Sequence, residues 1–226
     1  MNIFSIERQL TAPPLFVLLG LQNLYHFDAP VYDLDALDEV ELGERYIPFG
    51  NKIRLMLDVG AGGGSLGLML REKYDVQTLS TVFADWPYCE YITERGGLCI
   101  LMDVMDAMPA AKFSFDVVHI SWVYHGQTPD ELRVMFHEMN RVLRPGGYLW
   151  MRGGWSIEQF DFFQQFFQTL GYQTLHSDVQ KKPKEITEKI FFGSNHTLAY
   201  ALDWSAILVK PMLKQLAPGC GSSTTA

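Results

Sequence analysis

The stretch Leu55-Met-Leu-Asp-Val-Gly-Ala-Gly-Gly-Gly-Ser-Leu-Gly67 limits the fold more than any other part of the chain. The apolar run Ile53 to Val59 reads as a buried strand. It breaks at Gly60, Gly62, Gly63 and Gly64, after which Leu66, Met69 and Leu70 share one helical face. Strand, glycine loop and helix form the opening of a nucleotide-binding βα unit. Glycine permits positive φ and lacks a Cβ, so a ligand can approach the backbone closely. Four glycines in five positions also cost unfolded-chain entropy that a plain turn would not require.

Length and composition narrow the class. A chain of 226 residues suits one α/β domain with a terminal extension and can bury a substantial core. An apolar content of 48%, with 13% aromatic, describes a globular protein. The net charge of −8 and the absence of a basic stripe argue against a nucleic-acid partner. The short cluster Lys181-Lys182-Pro-Lys184 is followed by Glu185 and Glu188 and reads as a solvated turn. Cys89, Cys99 and Cys220 lack CxxC spacing and cannot all pair, which favours a reducing, cytoplasmic setting and no structural zinc. The apolar run Leu15 to Leu21 is too short to span a bilayer, so no membrane partner is expected.

The glycine loop admits two ligands. Gly62-Gly-Gly64-Ser-Leu-Gly67 matches the G-x-G-x-x-G spacing of dinucleotide sites. The longer string Asp58-Val-Gly60-Ala-Gly62-Gly-Gly64 resembles motif I of the Class I S-adenosylmethionine (SAM) dependent methyltransferases. A carboxylate at the strand end repels a pyrophosphate and suits a ligand carrying an ammonium group, as SAM does. Two further landmarks follow in the expected order. Ser114-Phe-Asp-Val-Val118 resembles the family's string before the catalytic loop. Asn140-Arg-Val-Leu-Arg-Pro-Gly-Gly147 resembles its helix-to-strand-five turn, where Pro stops the helix and the glycines reverse the chain.

The resemblance covers roughly residues 50–210. It implies an α/β, Rossmann-like, doubly wound seven-stranded sheet, mostly parallel with strand seven antiparallel. Residues 1–50 would form an N-terminal helical segment covering the active site, 51–212 the SAM-binding domain and 213–226 a flexible tail. Pro13-Pro14 starts an expected helix that Asp28-Ala-Pro30 ends, and an acidic segment follows. Strands are expected at 76–82, 98–102, 115–121, 148–151, 172–179 and 204–210. Thr128-Pro-Asp-Glu131 reads as a capping box opening a helix with apolar positions Leu132, Met135, Phe136, Met139 and Val142.

Site residues follow from the same resemblance. Asp58, Gly60, Ala61, Gly62 and Gly64 would hold the donor, with S-adenosylhomocysteine (SAH) as product. The family usually has an acid at the end of strand two for the ribose; here Ser80 and Thr81 stand there, and Thr81 is the chosen substitute. Asp85, the first acid beyond, reads as an N-cap before Trp86-Pro87. Asp103, in preference to Asp106, would bind the adenine amino group, Val104 would stack on the ring, and Ser121 completes the donor set. His125 is the candidate base, because imidazole titrates near neutral pH and strand four exits there. His119, inside the strand, is expected to pack in the core. Tyr25, His26, Trp122, Tyr124 and Trp155 are candidate acceptor contacts, with Tyr46 and Trp150 nearby, and an aromatic box could hold a cationic acceptor. The implied activity is methyl transfer to an N or O nucleophile of a small molecule, with no metal. The alternatives are a catalytically inactive SAM-fold binding partner and an NAD(P)-dependent enzyme.

Overall fold

The computed structural model describes residues 29–83, 86–103, 105–121, 123, 128–153, 157–182 and 201–212. In chain order the elements are α1 (Ala29–Tyr46), β1 (Leu55–Val59), α2 (Ser65–Tyr74), β2 (Gln77–Val82), α3 (Trp86–Glu94) and β3 (Leu98–Leu101). They continue with β4 (Phe115–Ser121), α4 (Pro129–Val142), β5 (Leu143–Gly153), α5 (Ile157–Thr169), β6 (Gln173–Lys182) and β7 (Ala201–Val209). One seven-stranded sheet has the order β3-β2-β1-β4-β5-β7-β6. Neighbours from β3 to β5 pair in parallel, and β7 runs antiparallel to both β5 and β6. The expected doubly wound sheet with an antiparallel seventh strand is present.

Strand alternation divides the core between two faces. Leu57, Val59, Val118, Ile120, Leu149 and Met151 pack with Met135, Phe136 and Met139 of α4 and Phe163 and Phe167 of α5. Met56, Val117, Trp150 and Ile207 pack on the other face with Leu66 and Leu70 of α2 and Val40 of α1. The phenylalanine stripe of α5 is therefore core, stacked around Phe136 and Trp204.

Local signals hold where they depend on neighbouring residues. Thr128 caps α4: its Oγ1 accepts from the Glu131 N–H at 3.4 Å, and the Thr128 N–H donates to Glu131 Oε2 at 2.7 Å. The Thr128 N–H, and its hydroxyl donating to the same Oε2 at 2.9 Å, keep the Glu131 carboxyl below its ordinary range. Two local expectations change. Ala29-Pro30 opens α1 instead of closing an element, because Pro is pre-set for a first helical turn. Arg144–Gly147 is a bulge within β5, not a turn ahead of it: Phe115 pairs with Leu143, but Val117 pairs with Tyr148. Gly146 takes φ +71°, and its N–H donates to the Lys210 carbonyl at 3.0 Å. The Lys210 ammonium reaches back to the carbonyls of Asn140 and Leu143, the latter at 2.7 Å, and so caps α4. Burial, with Lys112 close by, pushes that ammonium down to about 8.

Asp116 ties three strands at their lower edge. Its Oδ2 accepts from the N–H groups of Arg54 and Leu55 at 2.6 and 2.9 Å, and its Oδ1 meets Arg144 at 2.7 Å. Among the described residues no helix is long and apolar enough to cross a membrane.

The cysteines depart from expectation. Cys89 on α3 and Cys99 on β3 form a disulfide. The Gly96-Gly97 reversal brings their Cα atoms to 5.3 Å across a sequence separation of only 10, a proximity that CxxC spacing does not report. Such a bond persists in oxidising surroundings, which runs against a reducing compartment. Closing a loop of this size should stabilise the chain by about 2–3 kcal/mol. Denaturant unfolding of Cys99→Ser against the oxidised parent should show that loss, and adding reductant should erase the difference.

Candidate cofactor site

The order of strands reverses between β1 and β4, and their carboxyl ends frame the crevice where open α/β sheets bind ligands. The chain leaves β1 through Gly60, Gly62 and Gly64, with φ values of +71°, +53° and +72°. Two bonds anchor this loop to β2: the Gly60 N–H donates to Thr81 Oγ1 at 3.2 Å, and the Ala61 N–H to the Thr81 carbonyl at 2.9 Å.

The glycines serve different ends. A Cβ on Gly60 would lie 2.2 Å from Val123, and one on Gly64 would lie 2.6 Å from Ile92 of α3. These two positions are occupied by the protein's own packing. Among the described residues, a Cβ on Gly62 would meet nothing within 4 Å, and one on Gly63 would meet Tyr91 at 3.9 Å. The open part of the loop is thus Gly62-Gly63, a cradle of bare backbone at the switch point. The residues fit a ligand that must approach the main chain closely, as the SAM donor must.

Asp58 lies at the base of this loop and is 2% exposed. Its Oδ1 is bonded to His119 Nδ1 at 2.7 Å. The opposite side of that imidazole, Nε2, lies 3.4 Å from Glu39 Oε2 of α1. Glu39 Oε1 accepts from Ser121 Oγ at 3.1 Å and meets the Arg152 guanidinium at 3.4 Å. Burial works against a charge on His119, but the Glu39 and Asp58 carboxylates outweigh it and Arg152, so the imidazole titrates above its usual range. The row Asp58–His119–Trp150 follows directly from sheet register: Asp58 pairs with His119, and His119 with Trp150.

Sequence-derived candidates are thereby sorted. Thr81 is 1% exposed, and its hydroxyl holds the glycine loop; Ser80 is 2% exposed. Phe83, 48% exposed, is the side chain that stands open beyond β2. Asp103 follows β3, and its Oδ1 accepts from the Met105 N–H at 2.9 Å, closing its own turn. Ser121 ends β4 but serves Glu39. Trp150 is fully buried, edge-on to His119 at 4.8 Å, and Tyr46 packs against His176 at 5.1 Å, so both hold the core and not an acceptor. Tyr25, His26, Asp85, Val104, Trp122, Tyr124, His125 and Trp155 lie outside the described residues.

Sequence reasoning missed Glu39 and Arg152, and it placed His119 inside without seeing its partners. One signal was available: Ala36, Val40 and Gly43 form the buried face of α1, and Glu39 stands on that face. An acid among apolar helical positions calls for a buried partner.

Comparison with known proteins agrees with this geometry. Residues 57–151 match the family model described as "Methyltransferase domain". The chain is 30% identical over 135 residues to "Probable methyltransferase PMT11" of Arabidopsis thaliana, which covers 58% of this chain but only 19% of that protein. The chain therefore spans about a fifth of the length of that relative. Among solved structures, a SAM dependent methyltransferase from Archaeoglobus fulgidus superposes with a TM-score of 0.55 at 15% identity, covering 77% of this chain and 94% of that one. The [4+2]-cyclase SpnF superposes with a TM-score of 0.59 at 16% identity, covering 80% and 82%. At these identities the superpositions report the fold. The three ordered motifs, the sheet order and the domain model matched over residues 57–151 together make this chain similar to the Class I SAM-dependent methyltransferases, whose cofactor is S-adenosylmethionine.

Proposed function

We propose that this chain moves the methyl group of SAM to an N or O nucleophile of a small molecule. The observation that carries the reading is the Gly62-Gly63 cradle, open at the switch point while Gly60 and Gly64 are filled from within. When bound, the donor supplies a methyl group activated by its cationic sulfur. The protein's part is positioning and exclusion of water, which can supply most of the acceleration. Gly62 and Gly63 present backbone to the donor. Asp58 places negative charge at the base of the loop, where an ammonium group is favoured. Asp103 is the adenine contact through the oxygen that Met105 does not use. His125 takes the proton of an acceptor that arrives protonated, and Trp122, Tyr124, Trp155, Tyr25 and His26 shape the acceptor pocket. The acidic balance supports a small acceptor over a nucleic acid. The Cys89–Cys99 disulfide weighs against the cytoplasmic placement that the sequence suggested.

The same fold in a [4+2]-cyclase favours one second reading: a SAM-fold chain that does not transfer a methyl group. Labelled SAM separates the two. Methyl transfer to any component of a metabolite extract supports the first reading, and SAM binding without transfer supports the second. No binding at millimolar SAM by calorimetry removes both.

Two variants test the cradle. Gly62→Ala should fold with a cost of about 1–2 kcal/mol from its left-handed backbone alone, yet bind SAH at least tenfold more weakly. Gly64→Ala should lose more stability, because Ile92 must also move. Wild-type SAH affinity in Gly62→Ala would place the donor elsewhere. His125→Ala should lower kcat by about 10²–10⁴-fold while SAH affinity, read by calorimetry, stays at the parent value.

A further inference from the structure

The buried row beside the glycine loop has a feature that donor binding alone does not require. His119 bridges two carboxylates from different parts of the chain, Asp58 on β1 and Glu39 on α1. Glu39 also holds Ser121 at the end of β4 and Arg152 on β5, so one α1 side chain spans the carboxyl edge beside the switch point. Resting on the methyltransferase reading, we propose that His119 and Glu39 are positioning residues: the His119 ring, set between Asp58 and Glu39, couples the seating of α1 on the sheet to the base of the glycine loop.

The number of protons on the ring decides whether it can hold both carboxylates. A charged imidazole has an N–H on each side: Nδ1 bonds Asp58, and Nε2, which makes no hydrogen bond among the described residues, attracts the Glu39 carboxylate through charge at 3.4 Å. A neutral imidazole has one. If that hydrogen stays with Asp58, at 2.7 Å, then Nε2 turns a lone pair toward the Glu39 carboxylate, and the link to α1 is lost. The charged groups facing His119 are Asp58 from β1, Glu39 from α1 and Arg152 from β5, while Trp150 closes the row with its ring. Asp58 and Glu39 favour the imidazolium and Arg152 opposes it. With the folded value raised, the stabilisation is complete below the ordinary imidazole pKa and is lost as pH rises through the folded value. Row and loop are joined covalently, because Asp58 stands two residues before Gly60.

The test uses the full chain, with SAH as probe and nitrogen-detected NMR of the histidine rings. In the parent, His119 should keep protons on both ring nitrogens to a higher pH than a free imidazole does, and SAH affinity should fall about tenfold as the ring deprotonates. Glu39→Gln removes an anion that favours the charge, so both the ring titration and the affinity inflection should move to lower pH together. His119→Gln should bind SAH more weakly at pH 7 and show no inflection. A His119 ring that titrates no higher than a free imidazole overturns the proposal, as does an SAH pH profile that Glu39→Gln leaves unchanged; neither result needs His119→Gln to fold. Binding of SAH without these pH effects defeats this inference alone, whereas no SAH binding at any pH defeats the methyltransferase reading and this inference with it.

Discussion

The turn at the end of β1 is the constraint on which the site depends. The chain must leave the sheet between β2 and β4 within a few residues, and it does so through three glycines at positive φ. Thr81 fastens the turn from one side with its hydroxyl and carbonyl, and Val123 covers Gly60 from the other. Ile92 fills the space over Gly64, so α3 sets the height of the loop. The disulfide between α3 and β3 in turn fixes the helix that carries Ile92. Only after these contacts are made does Gly62-Gly63 remain bare.

Next to this turn the protein keeps four ionisable side chains largely out of water. Removing charges from water costs several kcal/mol per ion, and only mutual pairing with good geometry offsets it. Asp58, His119, Glu39 and Arg152 satisfy that condition by alternating sign along the row. An apolar row of similar volume would be at least as stable, so stability is a poor explanation for its presence. Its place at the carboxyl edge of β1, β4 and β5 gives it a bearing on the donor site that a packing role would not have.

Much of the fold was legible in the chain because it is encoded locally. The Thr128 capping box, the apolar face of α4 and the apolar runs of the central strands each depend on residues a few positions apart. Errors arose where a local signal had two structural outcomes. Pro30 suited both the end of one element and the first turn of the next, and the Arg144–Gly147 string suited both a turn and a bulge. The candidate site was legible mainly in its glycines. Thr81 was recognised as important at the strand end, yet a hydroxyl there can face a ribose or the preceding loop, and only the packed sheet turned it to Gly60.

By itself the sequence determined the order of elements, the glycine turn and the family resemblance, because periodicity, turn residues and short motifs act over single turns of helix or strand. Tertiary structure alone decided what each site residue touches. His119 and Asp58 are 61 positions apart, and Arg152 and Glu39 are 113 apart, so no local pattern could pair them. Sheet register set the first pair and the docking of α1 the second. The packing of α3 and of the chain leaving β4 decided which glycines the protein fills, since Val123 lies over Gly60 and Ile92 over Gly64.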